Sequence, residues 1–510
     1  MKTKQGWRWS GAGLAAVAVL AAFGVSAMTT APRAMAAPPN IVLLFADDLG
    51  YGDVGCFGAK DIHTPNLDRM AKEGMRFTDF YVSQPVCTAS RASLLTGCYA
   101  QRVGLAGALN HSSTQGIGER ELLLPEICRG RGYATAVYGK WHLGHRAEFN
   151  PTRHGFDHFV GIPYSNDNSR YHPVVKDIPP LPWIENTRVV EEDPDQSRFT
   201  RRLTDLAVSF IEKNKDRPFF LYVPHVMPHV PIFATDAFRG RSARGLYGDV
   251  VEELDAGVGE VLAAIDRCQL ASKTLVLFLS DNGPFLSYGD HAGSAGRLRE
   301  GKLTTFEGGV RVPMIARWPS VVPAGKVCSE PAATIDLLPT IRQLVGGEAP
   351  ARRLDGRDIG PLLRGDPQAS SPHEALLFYE GQTLQAVRVG KWKLHLPHPY
   401  LTVAGAPGRN GKPSNFENLK PESIQQSGIR GIASRHGYSV GELELSLFDL
   451  DVDPGERRNL ANEHPEIVTK MRDTAAALEA ANAAADAKWM AAAKTGSGNG
   501  SGAVAGGKQP

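Results

Sequence analysis

The chain has 510 residues, enough for about two to four domains of ordinary size. Hydrophobic residues make up 42% of it and charged residues 22%, which is ordinary globular usage and excludes a disordered or fibrous chain. The formal net charge of +2 at pH 7 is nearly neutral for this length, so the sequence predicts no nucleic-acid partner.

The N-terminal segment has the pattern of a signal peptide over residues 1–36. Lys2, Lys4 and Arg8 precede an apolar run at residues 11–27, and an A-x-A-like cleavage site follows at residues 34–36. The apolar run is shorter than the roughly 20 residues that a spanning helix needs, so cleavage is favoured over anchoring. We therefore predict an exported protein, periplasmic or secreted, that meets a membrane only during export.

Four short apolar runs are predicted as buried strands, at residues 41–45, 134–138, 219–223 and 274–279. Helical stretches, among them residues 202–213 and 250–266, lie between some of these strands. This alternation predicts an α/β fold with a central, mainly parallel sheet sandwiched by helices. A polar cluster follows each strand, and ligands bind beyond the carboxyl ends of such strands, so we expect the clusters to form one site.

The pattern of apolar residues changes near residue 375. This change predicts a main domain at residues 38–375 and a smaller α+β subdomain at residues 376–485. Short alternating runs at residues 386–396 and 447–450 predict an antiparallel sheet, with a Gly, Pro and Asn-rich loop at residues 397–413 between them. One helix is predicted at residues 465–485. Residues 486–510 are predicted to be a low-complexity, disordered tail, because an Ala, Gly and Ser-rich segment cannot pack a core.

Two of the polar clusters carry acidic side chains. Asp47 and Asp48 follow the first predicted strand, and Asp281 and Asn282 follow the fourth. Taken alone, adjacent aspartates often cap a helix or form a turn, and Asn-Gly is a common hairpin signal. Together, three carboxylates and an amide oxygen form an all-oxygen set that suits a hard divalent cation, calcium or magnesium, rather than zinc.

Cys87 begins the run C-T-A-S-R, and A-S-L-L-T-G follows it. This stretch resembles the signature of the type I sulfatases of the alkaline phosphatase superfamily, C-x-P-S-R with T-G at a fixed distance. The matching positions are Cys87, Ser90, Arg91, Thr96 and Gly97, and alanine stands at position 89 where the family usually has proline. An isolated cysteine of this kind is more often a small buried residue before a helix.

The resemblance implies that a maturation enzyme oxidises Cys87 to Cα-formylglycine (3-oxoalanine), an aldehyde whose hydrate is the nucleophile. One hydroxyl of the hydrate attacks sulfur, and the other later expels sulfate by re-forming the aldehyde. The resemblance also implies that Asp47, Asp48, Asp281 and Asn282, together with the modified Cys87, bind one calcium ion, or magnesium in its place. This ion would hold the substrate sulfate beside Cys87.

Other motifs supply the polar and cationic groups of the family site. By resemblance, Lys140 in VYGKWHLG binds the sulfate and the hydrate, and His142 is the base that triggers sulfate elimination. His229 contacts the sulfate and the leaving group, and Lys302 neutralises the sulfate and helps to protonate the departing oxygen. The remaining candidates are Arg91, which orients the hydrate, Ser165, which lies near the substrate, and His225, which lies near His229.

Six cysteines occur, at positions 56, 87, 98, 128, 268 and 328, and none of them forms a C-x-x-C pair of the kind expected at a structural zinc site. They do not form the pattern of a disulfide framework. Modification of Cys87 would leave five cysteines, so at least one of these stays free or bonds elsewhere, and the sequence leaves the pairing open.

The resemblance extends from residue 40 to about residue 460 and is greatest to the arylsulfatase A and N-acetylgalactosamine-6-sulfatase group. It implies hydrolysis of sulfate monoesters on carbohydrates, glycolipids or aryl groups, with a sulfated small molecule or glycan and a formylglycine-generating enzyme as partners. Two alternatives remain: a phosphate or phosphonate ester hydrolase on the same scaffold, and a non-catalytic protein that binds sulfated glycans. The loops at residues 166–197 and 283–299, the second with Tyr288 and His291, are expected to set specificity.

Overall fold

The computed structural model of the chain describes residues 38–420 and 428–496, with side chains up to residue 492. The predicted signal peptide at residues 1–36 lies outside the described residues. The residues from Pro38 onward form a single unit, in which the two parts predicted at residues 38–375 and 376–485 pack against each other. Among the described residues, no helix has both the length and the apolar character that crossing a membrane requires.

The strands of the described ranges fall into a large first group and a smaller second one. The first group is β1 (Asn40–Ala46), β2 (Met75–Phe77), β3 (Phe80–Tyr81), β4 (Ala134–Lys140), β5 (His158–Ile162), β6 (Pro182–Glu185), β7 (Arg188–Glu192), β8 (Phe219–Pro224), β9 (Thr274–Ser280), β10 (Met314–Arg317), β11 (Lys326–Cys328) and β12 (Ala332–Ala333). The second group is β13 (Leu376–Glu380), β14 (Thr383–Val389), β15 (Trp392–His395), β16 (His398–Val403), β17 (Tyr438–Leu443) and β18 (Ser446–Asp449).

Helices flank the first group of strands, and the last helix follows the second group in the chain. They are α1 (Pro65–Glu73), α2 (Cys87–Thr96), α3 (Leu124–Gly130), α4 (Phe199–Lys213), α5 (Leu246–Arg267), α6 (Glu307–Val310), α7 (Leu337–Val345), α8 (Gly360–Leu363), α9 (Gly428–His436) and α10 (Pro465–Gly496). The helices predicted at residues 202–213 and 250–266 correspond to α4 and α5, which pack against each other.

The central sheet has a parallel core, as the four apolar runs predicted. Within the described ranges its order is β11-β2-β10-β9-β1-β8-β4-β5-β6-β7. The neighbours from β9 through β1, β8 and β4 to β5 are parallel, whereas β10, β6 and β7 add antiparallel pairs towards the edges. Every residue of β1, β4, β8 and β9 is buried, which explains why these strands are continuously apolar rather than alternating.

The second group of strands forms the predicted small antiparallel sheet, with one difference from the prediction. Four strands pair in the order β13-β14-β15-β18. The segment predicted as a loop at residues 397–413 instead begins with β16, which pairs with β17 far along the chain. The loop prediction was wrong for residues 398–403 because a two-stranded ribbon with half-exposed strands has little apolar alternation to reveal it.

The last helix, α10, ends later than the sequence predicted. The helix runs to Gly496, so the predicted end at residue 485 and the start of a tail at residue 486 are both too early. Asp486 forms ion pairs with Arg102 and Arg352, and Arg352 also stacks 3.8 Å over the ring of Trp489. These contacts hold an alanine-rich segment with high helix propensity against the main domain. Residues 497–510 of the predicted tail lie outside the described residues.

A buried ionic network joins the small sheet to the central domain. Lys393 on β15 is fully buried, with its Nζ 2.9 Å from Glu307 Oε1 and 3.2 Å from Glu456 Oε1. Burial would raise the pKa of Glu307, but Lys393 and Arg311 outweigh it and lower the pKa to about 2. These charges are stable in the interior because each carboxylate has a cationic partner.

We predict that Lys393→Met destabilises the protein by about 3 to 5 kcal/mol, because Glu307 and Glu456 lose a shared cation in a buried position. Denaturant unfolding of the purified variants measures this change. Lys391→Met is the matched control: Lys391 pairs with Asp449 at 2.6 Å but is 45% exposed, so its loss should leave the free energy of unfolding nearly unchanged. Equal effects of the two substitutions would contradict the prediction.

Candidate active site

The ends of the parallel strands bring the predicted site residues to one edge of the sheet. Asp47 and Asp48 follow β1, Lys140 ends β4, His229 lies five residues beyond β8, and Asp281 with Asn282 follows β9. These strands are parallel neighbours, so their carboxyl ends meet. The structure therefore brings these distant segments together at one edge of the sheet, as the sequence predicted.

Cys87 is the first residue of α2 and is 2% exposed. Its Sγ lies 3.2 Å from Lys302 Nζ and 3.5 Å from Asp47 Oδ1. Burial raises the pKa of the Cys87 thiol well above its usual value, and the Asp47 carboxylate raises it further. The thiol is therefore protonated and a poor nucleophile in this form, although two charged groups are in contact with it.

Arg91 lies one helical turn after Cys87 and is completely buried. One terminal nitrogen donates to the Lys140 carbonyl at 2.8 Å, and the other lies 2.8 Å from Asp281 Oδ2 and 3.2 Å from Asp47 Oδ2. A guanidinium can bridge two carboxylates in this way because its donors are fixed in one plane. Arg91 thus ties α2 to the ends of β1, β4 and β9.

The amide of Asn282 is only partly hydrogen-bonded among the acidic residues. Its Nδ2 donates to Asp48 Oδ1 at 2.7 Å, and Asp281 Oδ1 accepts from the Asp48 backbone N–H at 3.0 Å. Asn282 Oδ1, however, is buried and has no hydrogen-bond partner among the described residues. A buried amide oxygen without a partner, on a residue that contacts Asp48, fits a divalent cation with oxygen ligands.

One group of potential ligand atoms differs from the predicted set. Asp47, Asp48, Cys87 and His229 each offer one atom, and these atoms lie within 4.8 Å of one another. His229 was predicted to contact substrate rather than metal, and its Nε2 lies 3.6 Å from Asp48 Oδ2. The oxygen ligands that Asp47, Asp48, Asp281 and Asn282 offer still favour a hard cation.

The protonation of the carboxylates follows from their unequal partners. Burial would raise the pKa of Asp47, but Lys140 at 2.5 Å and Arg91 outweigh burial and hold it well below the usual value. Burial and the neighbouring Asp47 raise the pKa of Asp281 to about 6. Like charges gathered here repel one another, so the site needs positive charge to keep every carboxylate ionised.

The predicted base His142 lies beside the cavity over Cys87. Its Nε2 is 2.8 Å from the Leu109 carbonyl oxygen, while its buried Nδ1 has no hydrogen-bond partner within the part of the chain that the structure describes. Burial and the nearby Lys140 lower the pKa of His142 well below its usual value. The imidazole is therefore neutral at pH 7. Since Nε2 must donate to a carbonyl, Nδ1 carries the free lone pair.

Lys302, His229 and Ser165 form the opposite wall. Lys302 Nζ lies 2.7 and 2.9 Å from the two carboxylate oxygens of Asp48. Ser165 Oγ accepts from Lys140 Nζ at 3.2 Å and lies 3.4 Å from His229 Nε2. Burial and Lys302 lower the pKa of His229 to about 3. Direct contacts thus form a chain that runs from Lys140 through Ser165, His229 and Asp48 to Lys302.

Ala89, the departure from the family signature, is also explained by a contact. It is fully buried in the first turn of α2, and its backbone N–H donates to the Gly107 carbonyl at 3.2 Å. Proline has no N–H to donate, so the residue usual in the family could not make this bond.

A cavity of about 400 Å³ opens over Cys87. Its lining includes the predicted His142, Ser165, His229 and Lys302, whereas Lys140 reaches it through Ser165. His225, which the sequence placed nearby, is not among the described lining residues, and Tyr288 is buried against His436.

Sequence reasoning missed several polar residues of this cavity: Asp167 and His172 from the loop after β5, Glu380 from the end of β13, and Arg435 and His436 from α9. One carboxylate oxygen of Glu380 has no hydrogen-bond partner among the described residues, and burial raises the pKa of Glu380 to about 7. Asp167 and His172 lie in the loop at residues 166–197, which was expected to set specificity, but neither residue was singled out. The other residues come from segments without a recognisable motif.

The fold and the site define a hydrolase of the α/β class with a buried, multiply charged centre. Residues 39–347 match the family model described as Sulfatase, and residues 371–495 match the model described as C-terminal region of aryl-sulfatase. The chain belongs to the sulfatase family, as the sequence motifs indicated, and is an enzyme that acts on sulfate esters.

Individual relatives agree with this assignment. The chain is 39% identical to arylsulfatase A of Bos taurus and 40% identical to N-acetylgalactosamine-6-sulfatase of Sus scrofa, in each case over 479 residues. These alignments cover 89% of this chain and 89% and 87% of the two relatives. The PsFucS1 sulfatase from Pseudoalteromonas sp. has a similar structure, with a TM-score of 0.73 and 26% identity over 87% of this chain and 90% of that one.

Proposed function

We propose that this sulfatase hydrolyses sulfate monoesters with a nucleophile made from Cys87, the hydrate of Cα-formylglycine. The observation that carries the proposal is the convergence on Cys87 Sγ of residues from separate matched motifs, with Lys302 Nζ at 3.2 Å and Asp47 Oδ1 at 3.5 Å. In the unmodified chain, Sγ stands where the hydrate oxygens would lie.

The hydrate would supply two hydroxyl groups on one carbon, one to attack sulfur and one whose deprotonation releases sulfate. Arg91 and Lys140 lie behind Cys87 and orient this group through their contacts with Asp47. His142 is neutral and has a free lone pair on Nδ1, so it accepts the proton in the release step.

The substrate ester would lie between Cys87 and the wall formed by Lys302, His229 and Ser165. Lys302 carries a positive charge within reach of an oxygen bound at Cys87, so it neutralises the sulfate and protonates or stabilises the departing oxygen. His229 and Ser165 contact the same group from the side of Lys140. This arrangement places positive charge where the leaving oxygen becomes negative.

Asp47, Asp48, Asp281 and Asn282, with the modified Cys87, would hold one calcium ion, or magnesium in its place. The ion supplies charge that offsets the carboxylates and orients the sulfate oxygens. The orphaned Asn282 Oδ1 and the raised pKa of Asp281 support this assignment.

The substrate class and cellular route follow from the same proposal. Sulfated carbohydrates, glycolipids or aryl sulfates would be the substrates, and a formylglycine-generating enzyme would be the maturation partner. Export by the signal peptide at residues 1–36 would place the enzyme in the periplasm or outside the cell.

We predict that the peptide containing Cys87, from enzyme co-expressed with a formylglycine-generating enzyme, lacks sulfur and two hydrogens and carries one extra oxygen by mass spectrometry. Hydrolysis of 4-nitrophenyl sulfate should rise with the converted fraction. Cys87→Ala should lower kcat by about 10³-fold or more, because the nucleophile is lost. Cys98→Ala, at another buried cysteine nearby in the chain, is the control and should retain activity. Full activity of a chain carrying only unmodified Cys87 would sink the mechanism.

We predict that calcium raises the thermal unfolding midpoint of the protein and that a chelator reverses the rise. At a calcium concentration about 100 times the dissociation constant, the expected stabilisation is about 2.7 kcal/mol. Asn282→Ala should weaken this response, because the orphaned oxygen is removed. Asn40→Ala tests the specificity, since Asn40 is a buried asparagine at the other end of β1. Differential scanning calorimetry with and without calcium measures the effect, and an unchanged response in Asn282→Ala would exclude Asn282 as a ligand.

We predict that His142→Ala and His229→Ala each lower kcat by about 10²- to 10⁴-fold, the usual contribution of a proton-transfer group. His225→Ala is the matched control, because His225 is as buried as His229 and lies four residues before it, yet does not line the described cavity. Steady-state kinetics with 4-nitrophenyl sulfate, on variants that keep the circular dichroism of the parent, measures the effect. A loss in His225→Ala equal to that in His229→Ala would show that histidine truncation acts through the structure.

A further inference from the structure

A second cavity, which we call the basic groove, lies beside the active cavity. It has a volume of about 740 Å³ and is defined by Arg170, Lys176, Arg239, Lys412 and the rings of Tyr171 and Phe233. The cavity over Cys87 and the basic groove share His172 in their linings. The two cavities therefore adjoin at His172.

The basic groove carries an excess of positive charge. Four cationic side chains and one carboxylate, Asp249, line it, apart from its histidines. Asp249 is not available to these cations, because its two oxygens accept the backbone N–H groups of residues 240, 241 and 242 at 2.7 to 2.9 Å. Asp249 therefore does not neutralise the four cations, and their positive charge can attract an anion from solvent.

The cations are exposed and only loosely paired. Arg239 is 59% exposed, and its nearest carboxylate, Asp236, lies 3.5 Å away. Arg170 is 58% exposed and 3.8 Å from Asp193. Lys176 and Lys412 are exposed, and Lys412 Nζ lies 4.4 Å from the centre of the Phe416 ring. Such weak contacts with water-accessible partners are readily exchanged for contacts with a ligand.

Two further features suit a sugar rather than a simple ion. Tyr171 is 39% exposed, packs at 5.4 Å against Phe233 and is covered on one side by the Arg170 guanidinium. The exposed part of the ring offers an apolar surface to a ligand, while its hydroxyl accepts a hydrogen bond from Arg170 at 2.8 Å. His291, which the sequence placed at the cleft, lines the basic groove, and its buried Nδ1 has no hydrogen-bond partner in the described part of the chain. His291 therefore adds a polar ring to the lining of the basic groove.

We propose that the basic groove binds the neighbouring anionic units of a sulfated glycan whose scissile ester occupies the cavity over Cys87. The inference rests on the proposed sulfatase function for the position of the scissile ester, and it extends that function from a single sulfated sugar to an oligosaccharide. The groove selects substrates that carry a second sulfate or a carboxylate beyond the reacting unit. A simple aryl sulfate lacks such a unit and does not use the groove.

The test is the binding of fluorescent sulfated hexasaccharides, from chondroitin 6-sulfate, heparin and carrageenan, to the full-length chain carrying Cys87→Ala, which prevents turnover. In this background the groove variant combines Lys176→Gln, Arg239→Gln and Lys412→Gln. Removing three charges at the rim should raise the dissociation constant of the bound hexasaccharide roughly tenfold or more and should reduce its dependence on salt. An unchanged dissociation constant, or no binding of any hexasaccharide by the parent chain, would overturn the proposal.

A matched control removes the same number of charges elsewhere. Arg153 is 58% exposed and lies 3.4 Å from a single acid, Glu119, so it resembles Arg239 in its surroundings. Lys213 and Lys273 are exposed and precede β8 and β9, at the edge of the sheet opposite the active site. The variant with all three changed to glutamine should bind hexasaccharides as the parent does. An equal loss in this variant would show that only net charge matters and would contradict the proposal.

A separate measurement distinguishes failure of the groove from failure of the proposed function. With Cys87 intact and matured, hydrolysis of 4-nitrophenyl sulfate should have the same kcat/KM in the parent and the groove variant. No hydrolysis by the parent, together with weaker hexasaccharide binding by the variant, would refute the function and support the groove. Groove-dependent binding to phosphatidylglycerol vesicles without hexasaccharide binding would overturn the proposal in favour of a membrane surface.

Discussion

The compensation of buried negative charge at one edge of the central sheet is the constraint on which the site depends. Asp47, Asp48 and Asp281 are almost fully removed from water, and carboxylates in that position repel one another unless cations are supplied. Arg91, Lys140 and Lys302 supply part of this charge from three different segments. The carboxylates in turn stabilise the buried charges of these three cations. The acidic and the basic side chains are therefore stable in the interior only together.

The parallel core of the sheet makes this arrangement possible, and the second sheet completes it. Strands β1, β4, β8 and β9 are neighbours in the sheet although they are far apart in the sequence. The polar residues at their carboxyl ends therefore meet at a common edge. The smaller sheet docks through Lys393, which is buried between two glutamates, and β13 and α9 then contribute to the cavity over Cys87. The charged centre therefore comes from the main domain, whereas part of the cavity lining comes from the C-terminal part of the chain.

The sequence predicted those features that depend on strong local signals. Continuous apolar strands revealed the parallel core, and the motifs around Cys87, Lys140 and Lys302 revealed the charged centre. It did not predict Glu380, Arg435 or His436, because their place in the cavity depends on how the second sheet docks, which is a long-range packing property. The strand at residues 398–403 was mistaken for a loop, since its partner lies some 35 residues away and its exposed edge has no clear apolar period.

The origin of α9 has a consequence for how such an enzyme diversifies. Arg435 and His436 belong to a short helix that lies outside the parallel core and contributes none of the carboxylates or cations that compensate one another. Substitutions in this helix would therefore change the lining of the cavity while leaving the charged groups around Cys87 in place. The recognition of the substrate and the chemistry of the ester bond are thus assigned to different segments of the chain.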